Sequence, residues 1–290
     1  MRVLVTGAGG LVGGALTEHS RAAGDEVFNY DRQALDITNR ELVKSTMLAV
    51  KPQAVINCAA FTDVDRCEFD PERAQAANAV GPENLADASR LVNATFVTIS
   101  TDYVFDGRKE GFYTQDDDPN PISVYGRSKL DGERRAQLAY PRTIVVRSGF
   151  IFGPGGRNFL STIVDRARRG ETLKAIGDAY GTPTFARHLA ARLRELAQLD
   201  VPGVFHVVNE GAGVSYEEFA RKALDRAGFG SGELQGIEMD SLNRPAPRPR
   251  NSRLKCLVSG TVGLSPLPSW EQAVEEFVEA SAQPGTAQRA

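Results

Sequence analysis

Cysteine, histidine and tryptophan are scarce here: three, three and one in 290 residues. Cys58, Cys67 and Cys256 make no C-x-x-C pair and no even framework, which excludes a disulfide scaffold and fits a reducing, cytoplasmic setting. His19, His188 and His206 are too scattered to suggest a zinc site, so no metal is expected. No apolar run approaches the ~20 residues of a membrane span, so no membrane partner is expected. The first residues, Met1-Arg2-Val3-Leu4-Val5, run straight into a strand-like stretch, with no h-region or cleavage site of a secretory signal. Positive charge is not in excess either: a formal net charge of −3 argues against a nucleic-acid partner.

What is there is a regular alternation. Apolar runs at 2–6, 26–30, 54–58, 96–100 and 143–147 read as strands. Between them lie helical stretches at 15–23 and 40–50, a long helix at 71–91 interrupted near Gly81-Pro82, and a helix opened by Tyr125. This predicts an α/β fold with a Rossmann-like doubly wound parallel sheet over 1–150 and a return contribution near 172–200. Beyond Phe150 the rhythm loosens. Helices at 158–169, 185–199, 216–227 and 270–279 and a strand at 204–208 predict a smaller α/β substrate domain over 151–280, and 281–290 reads as a disordered tail.

Gly7-x-x-Gly10-x-x-Gly13 sits between the first strand and the first helix. Glycines there permit a tight turn and bring backbone N–H groups close to a pyrophosphate on the helix N-terminus. The loop lacks the Gly-Lys-Ser/Thr of a nucleoside triphosphate site. Asp31 ends the second strand 18 residues after Gly13, where a carboxylate meets the adenosine ribose. It accepts hydrogen bonds from the free hydroxyls of NADH and repels the 2′-phosphate of NADPH, while Arg32 either covers that phosphate or is a solvated surface charge. Both cofactors are therefore expected to work. Asp36-Ile37 either flanks the adenine or, through Asp36, caps the next helix. The small residues of Cys58-Ala59-Ala60-Phe61-Thr62 either let a cofactor pass or serve helix packing.

Tyr125 and Lys129 are four apart and share a helical face. Seven Tyr and seven Lys give about 0.17 such pairs by chance, so the spacing alone is weak. Thr101, a hydroxyl residue at the end of the preceding strand, completes a cluster suited to moving a proton onto a carbonyl oxygen. In that cluster the ammonium is expected to lower the phenol pKa. The stretch 243–253, Asn-Arg-Pro-Ala-Pro-Arg-Pro-Arg-Asn-Ser-Arg, reads either as a surface connector or as an arginine-bearing wall over a phosphorylated substrate.

Together the glycine loop, Asn57-Cys58-Ala59-Ala60 and the Thr101, Tyr125, Lys129 set resemble the extended short-chain dehydrogenase/reductases. Ser-Thr-Asp-Tyr-Val-Phe-Asp-Gly at 100–107 is narrower and resembles the dTDP-4-dehydrorhamnose reductases. So do Tyr125-Gly126-x-Ser128-Lys129-Leu130-x-Gly132-Glu133, Asn158-Phe159, Gly181-Thr182-Pro183-Thr184 and Arg248-Pro249-x-Asn251-Ser252-x-Leu254. The resemblance implies an NADH- or NADPH-dependent reduction of the C4 ketone of a dTDP-6-deoxy-4-ketohexose. It puts Gly7, Gly10, Leu11, Val12 and Gly13 at the pyrophosphate, Asp31 and Arg32 at the ribose, and Asp36 and Ile37 by the adenine. Ala60, Phe61 and Thr62 pass beside the cofactor. Tyr125 is the proton donor and Lys129 its partner, and both also bind the cofactor, Lys129 at the nicotinamide ribose. Thr101, Asp102, Tyr103, Phe150, Asn158 and Arg248 face the dTDP-sugar. Phe150 departs from the Trp common in that family, keeping an apolar wall but losing an indole N–H. A homodimer is the assembly expected. Two rivals stand beside this reading: a ketoreductase or epimerase on another nucleotide-activated deoxysugar, and a non-catalytic subunit like the regulatory subunit of methionine adenosyltransferase.

Overall fold

Val3, Leu4 and Val5 are all fully buried in the first strand, β1 (Arg2–Thr6). Continuous rather than alternating burial marks a parallel strand covered on both faces. In this computed structural model, which describes every residue except Ser231, Glu233 and 283–290, that is what β1 is. Val3 and Val5 point into one apolar layer, and Leu4 into the other. The first half continues with α1 (Leu11–Ala22), β2 (Glu26–Tyr30), α2 (Arg40–Val50), β3 (Ala54–Asn57), α3 (Val64–Phe69), α4 (Pro71–Gln75), α5 (Gly81–Leu91), β4 (Thr95–Thr101), α6 (Val124–Ala139) and β5 (Ile144–Ser148). The second half holds β6 (Ile151–Phe152), α7 (Phe159–Arg168), β7 (Leu173–Ile176), β8 (Tyr180–Gly181), β9 (Thr184–Phe185), α8 (Ala186–Leu199), β10 (Gly203–His206), β11 (Val214–Ser215), α9 (Tyr216–Arg226), β12 (Leu234–Ile237) and α10 (Trp270–Ala282).

Six strands form the main sheet in the order β10-β5-β4-β3-β1-β2, every pairing parallel. The chain winds one way from β1 to β2 and the other way from β3 onward. A crevice therefore opens outside the carboxyl ends of β1 and β3, where α/β sheets bind ligands. Asn57 ties those ends together. Its Oδ1 accepts from Thr6 Oγ1 (2.6 Å) and Ala59 N (3.1 Å), and its Nδ2 donates to Thr98 Oγ1 (3.0 Å).

Four sequence expectations change. The first helix starts at Leu11, not residue 15, because Gly13 serves packing: a Cβ there would lie 2.2 Å from the Gly7 carbonyl oxygen. The helix over 71–91 does not break at Gly81-Pro82. It passes through one π turn, Ala76–Val80, whose wider winding absorbs the N–H that Pro82 lacks. The return to the main sheet is α8 and β10, residues 186–206; the strand at 173–176 instead pairs with β12. Ser281 belongs to α10, so the expected tail lies, from residue 283, outside the described residues. Beyond the main sheet, Phe152, Leu160, Phe185, Phe219, Trp270 and Phe277 form a separate apolar cluster.

Candidate active site

Two cavities meet at the carboxyl edge of the sheet. The first, about 490 Å³, is lined by Gly7, Gly9, Gly10, Asp31, Arg32, Asp36, Ile37 and the 58–61 segment, with Leu35, Thr38, Arg73, Ala76 and Ala77 completing it. Gly7 has φ of +67°, and a Cβ there would sit 2.6 Å from Ala59 N, so only glycine lets the turn lie against the 58–61 segment. Gly10 caps α1 without a side-chain bond, which leaves the first-turn N–H groups of Leu11, Val12 and Gly13 aimed outward. A dinucleotide pyrophosphate fits that arrangement. Asp31 Oδ1 accepts from Gln33 N (3.0 Å) and Ala34 N (2.8 Å), fixing the carboxylate at the strand end. Asp36 does not cap α2; Asn39 does, and Asp36 instead accepts from Thr38 N and Oγ1, a pairing that holds its carboxyl below the usual range.

The second cavity, about 460 Å³, shares Gly10, Cys58, Ala59 and Ala60 with the first. Leu11, Val12, Gly13, Thr62, Thr101, Asp102, Tyr103, Tyr125, Lys129, Phe150 and Asn158 line it. Ser123 caps α6 through Gly126 N (3.1 Å), which starts the helix so that Tyr125 and Lys129 both face the end of β4. Lys129 Nζ donates to the Ile99 carbonyl (2.6 Å) and is buried. Burial draws its pKa down to about 8, against the pull of the Glu133 carboxylate. Glu133 is itself held by Arg147 (Nη2–Oε2, 2.7 Å) and by the Ser100 hydroxyl. Burial also pushes the Tyr125 phenol well above its ordinary value, offset in part by a hydrogen bond with Thr101. The expected lowering by Lys129 is not among the leading influences on the phenol, which after burial and Thr101 are Asp102, Tyr103 and Cys67; the Lys129 Nζ points to the Ile99 carbonyl. Tyr103 stands edge-on to Tyr125, with ring centroids 6.0 Å apart.

A family model described as the RmlD substrate binding domain matches residues 1–283. The dTDP-4-dehydrorhamnose reductase of Mycolicibacterium smegmatis is 36% identical over 282 residues, covering 96% of this chain and 85% of that one. This chain belongs to the RmlD family. Among solved structures, the Clostridium acetobutylicum dTDP-4-dehydrorhamnose reductase superposes with a TM-score of 0.93 at 34% identity, covering 98% of this chain and 100% of the other. The Bacillus anthracis dTDP-4-dehydrorhamnose reductase, in complex with NADP, gives 0.93 at 33% identity over 96% and 99%.

In this member of the RmlD family, Phe150 has an unusual setting. Phe150 has φ of +45°, rare for a bulky residue, and its ring stacks on Tyr216 at 4.1 Å. A Cβ on Gly181 would come within 2.3 Å of that ring, so the 181 glycine keeps the wall in place. Asn158 lines the cavity but spends its amide on its own loop. Nδ2 donates to the Gly153 (2.7 Å) and Gly156 (2.9 Å) carbonyls, while Oδ1 caps α7 through Ser161 N (3.1 Å). Arg248 lies outside both cavities and grips Asp65 with two bonds of 2.9 Å. Arg250 pairs instead with Asp178 and Asp240. The sequence reading missed Tyr216, Phe159 and Arg157, which also line the second cavity. Arg157 follows the Gly155-Gly156 turn immediately before Asn158, a placement that the Asn158-Phe159 motif could have pointed to. Tyr216 comes from α9, more than 60 residues downstream of Phe150, and no local pattern announces it.

Proposed function

We propose that this chain reduces the C4 ketone of dTDP-4-dehydrorhamnose to give dTDP-L-rhamnose, with NADH or NADPH as reductant. The observation that carries the reading is that Thr101, Tyr125 and Lys129 line a cavity continuous with the glycine-turn cleft. The nicotinamide, when bound, supplies the hydride. Tyr125 gives its proton to the ketone oxygen. Lys129, held on the Ile99 carbonyl, keeps a positive charge one turn below the phenol and reaches the nicotinamide ribose. The Phe150–Tyr216 stack forms an apolar wall for the deoxysugar face. Arg157, exposed at the cavity and with no acidic partner among the described residues, is the cation best placed for a diphosphate. Arg248 reaches one only by leaving Asp65. Three free cysteines and the absence, among the described residues, of a helix able to cross a membrane go with a cytoplasmic setting. A homodimer is part of this proposal, and light scattering tests it.

The test is oxidation of NADPH and of NADH with dTDP-4-keto-6-deoxy sugars of each C3/C5 configuration. Turnover with the rhamnose configuration, and much weaker turnover of the free 4-keto sugar, is expected. Equal efficiency on free and nucleotide-linked sugar would sink the reading, and strong preference for another configuration would trace to the wall built by Phe150.

A further inference from the structure

Asp102 follows Thr101, is 3% exposed, and faces no cation of its own. Its Oδ1 accepts from Thr101 Oγ1 at 3.1 Å. Its Oδ2 is sealed from solvent with no hydrogen-bond partner among the described residues, pressed against Gly149, where a Cβ would lie 2.5 Å away. The groups around it are neutral or answered elsewhere. Tyr103 follows it in the chain, and Tyr125 from α6 and Tyr216 from α9 feel its charge. The Ser252 hydroxyl lies beside the carboxyl and, with Thr101, offsets part of the effect of burial, while also reaching the Tyr180 carbonyl (3.5 Å). Arg244 and Arg248 act on Tyr103 and Tyr216. Lys129 is countered by Glu133. A buried carboxylate without a cation favours its neutral form, and burial raises Asp102 to about 6.

Thr101 has one proton to give. Its oxygen already accepts from Tyr103 N (3.2 Å), and both Asp102 and the Tyr125 phenol are in hydrogen-bonding reach of it. We propose that Asp102 is a positioning residue whose protonation decides where the Thr101 hydroxyl proton points, and through it where Tyr125 aims its own. With Asp102 ionised, Thr101 donates to the carboxylate and offers a lone pair to Tyr125, so the phenol proton turns toward Thr101. With Asp102 neutral, Thr101 is released to donate into the phenol oxygen. The Tyr125 proton then faces the substrate ketone, and the phenolate left by its transfer gains a donor. The only proton that changes owner is the one passing from Tyr125 to the ketone oxygen. This deepens the proposed reductase reading and rests on it.

The experiment is kcat/KM from pH 5 to 9, which reports groups of the free enzyme, in the parent, Asp102→Asn, Thr101→Ser and Thr101→Val. In the parent, kcat/KM should fall about tenfold per pH unit above a midpoint near 6. Asp102→Asn, which cannot ionise, should lose that limb. Thr101→Ser should keep it, and Thr101→Val should lose it. Survival of the limb at the same midpoint in Asp102→Asn overturns the proposal. If no dTDP-4-keto sugar is reduced, the reductase reading fails separately, and infrared titration of the Asp102 carboxyl still decides the coupling. Removing the Thr101 donor in Thr101→Val must raise the midpoint, and an unchanged midpoint refutes the link.

Discussion

Tyr125 is held between opposing influences. Burial makes its phenol a poor acid, while the Thr101 hydrogen bond pulls the other way, and the Lys129 charge is engaged at Ile99. A proton donor so placed acts through its hydroxyl. Tyr125→Phe is expected to lower kcat by about 10²-fold or more and to leave cofactor affinity within a few-fold. Stopped-flow turnover and cofactor titration measure the two; a kcat within a few-fold of the parent refutes Tyr125 as donor. The cofactor choice is also a single-residue matter. Because Asp31 anchors its turn through Gln33 and Ala34, Asp31→Ala would disturb the loop as well as remove charge. Asp31→Asn keeps the accepting oxygen and removes only the repulsion of a 2′-phosphate. The parent is expected to favour NADH by no more than about tenfold, or ~1.4 kcal/mol. Asp31→Asn should shift the kcat/KM ratio toward NADPH, and Arg32→Ala toward NADH. No shift in either variant would mean that neither side chain meets the ribose.

Among elements, the π turn at 76–80 connects the two cavities. Asn78, within it, accepts from Phe61 N (2.8 Å) and donates to Phe61 O (3.0 Å) and Ser128 Oγ (3.0 Å). Phe61 borders the dinucleotide cleft, and Ser128 lies between Tyr125 and Lys129 on α6. Gly132, one turn further along α6, lets that helix approach until a Cβ would stand 2.0 Å from the Asn78 carbonyl oxygen. Gly132→Ala should therefore cost about 1–3 kcal/mol by overpacking and lower kcat by displacing α6. A urea midpoint and a kcat unchanged from the parent would contradict this. The turn also marks how far the sequence could be read. Local spacing made β1, the glycine turn and the Tyr125–Lys129 pair legible, because each is written within a few residues. Pro82 read as a break, since a lone sequence does not reveal that a wider winding removes the need for its N–H. The strands at 151–152, 180–181 and 184–185 are too short to carry a period, and the Phe150–Tyr216 wall exists only through tertiary packing.

Over the whole molecule, two buried groups give opposite pH dependences. His206 is buried against Phe105 with Nε2 unpartnered, and burial lowers its pKa to about 4. Between pH 6.5 and 4 the unfolded chain binds a proton there and the folded chain does not. The His206 contribution is thus complete above pH 6.5 and falls by roughly 3 kcal/mol on going to pH 4. Asp102, raised to about 6, does the reverse: the folded chain takes up its proton first, so stability is gained as pH falls from about 6. Relative to the parent, His206→Gln should lose less stability between pH 6.5 and 4, and Asp102→Asn should lose more. Urea midpoints across that range test both signs, and equal pH slopes in all three proteins would refute them.

The return of α8 and β10 to the main sheet also bears on synthesis. Leu189, Leu193 and Leu196 of α8 fill the same apolar layer as Val3, Val5 and Leu16, and β10 supplies the last edge beside β5. When residue 150 leaves the ribosome, that layer is still half uncovered and β5 is an open edge, a template for pairing with another chain. More than fifty further residues, including β6 to β9, must be made before the cover arrives. The nascent cofactor half therefore spends seconds as a sticky intermediate, at about 5–20 residues per second. A fragment ending at residue 150 should aggregate where one ending after His206 does not.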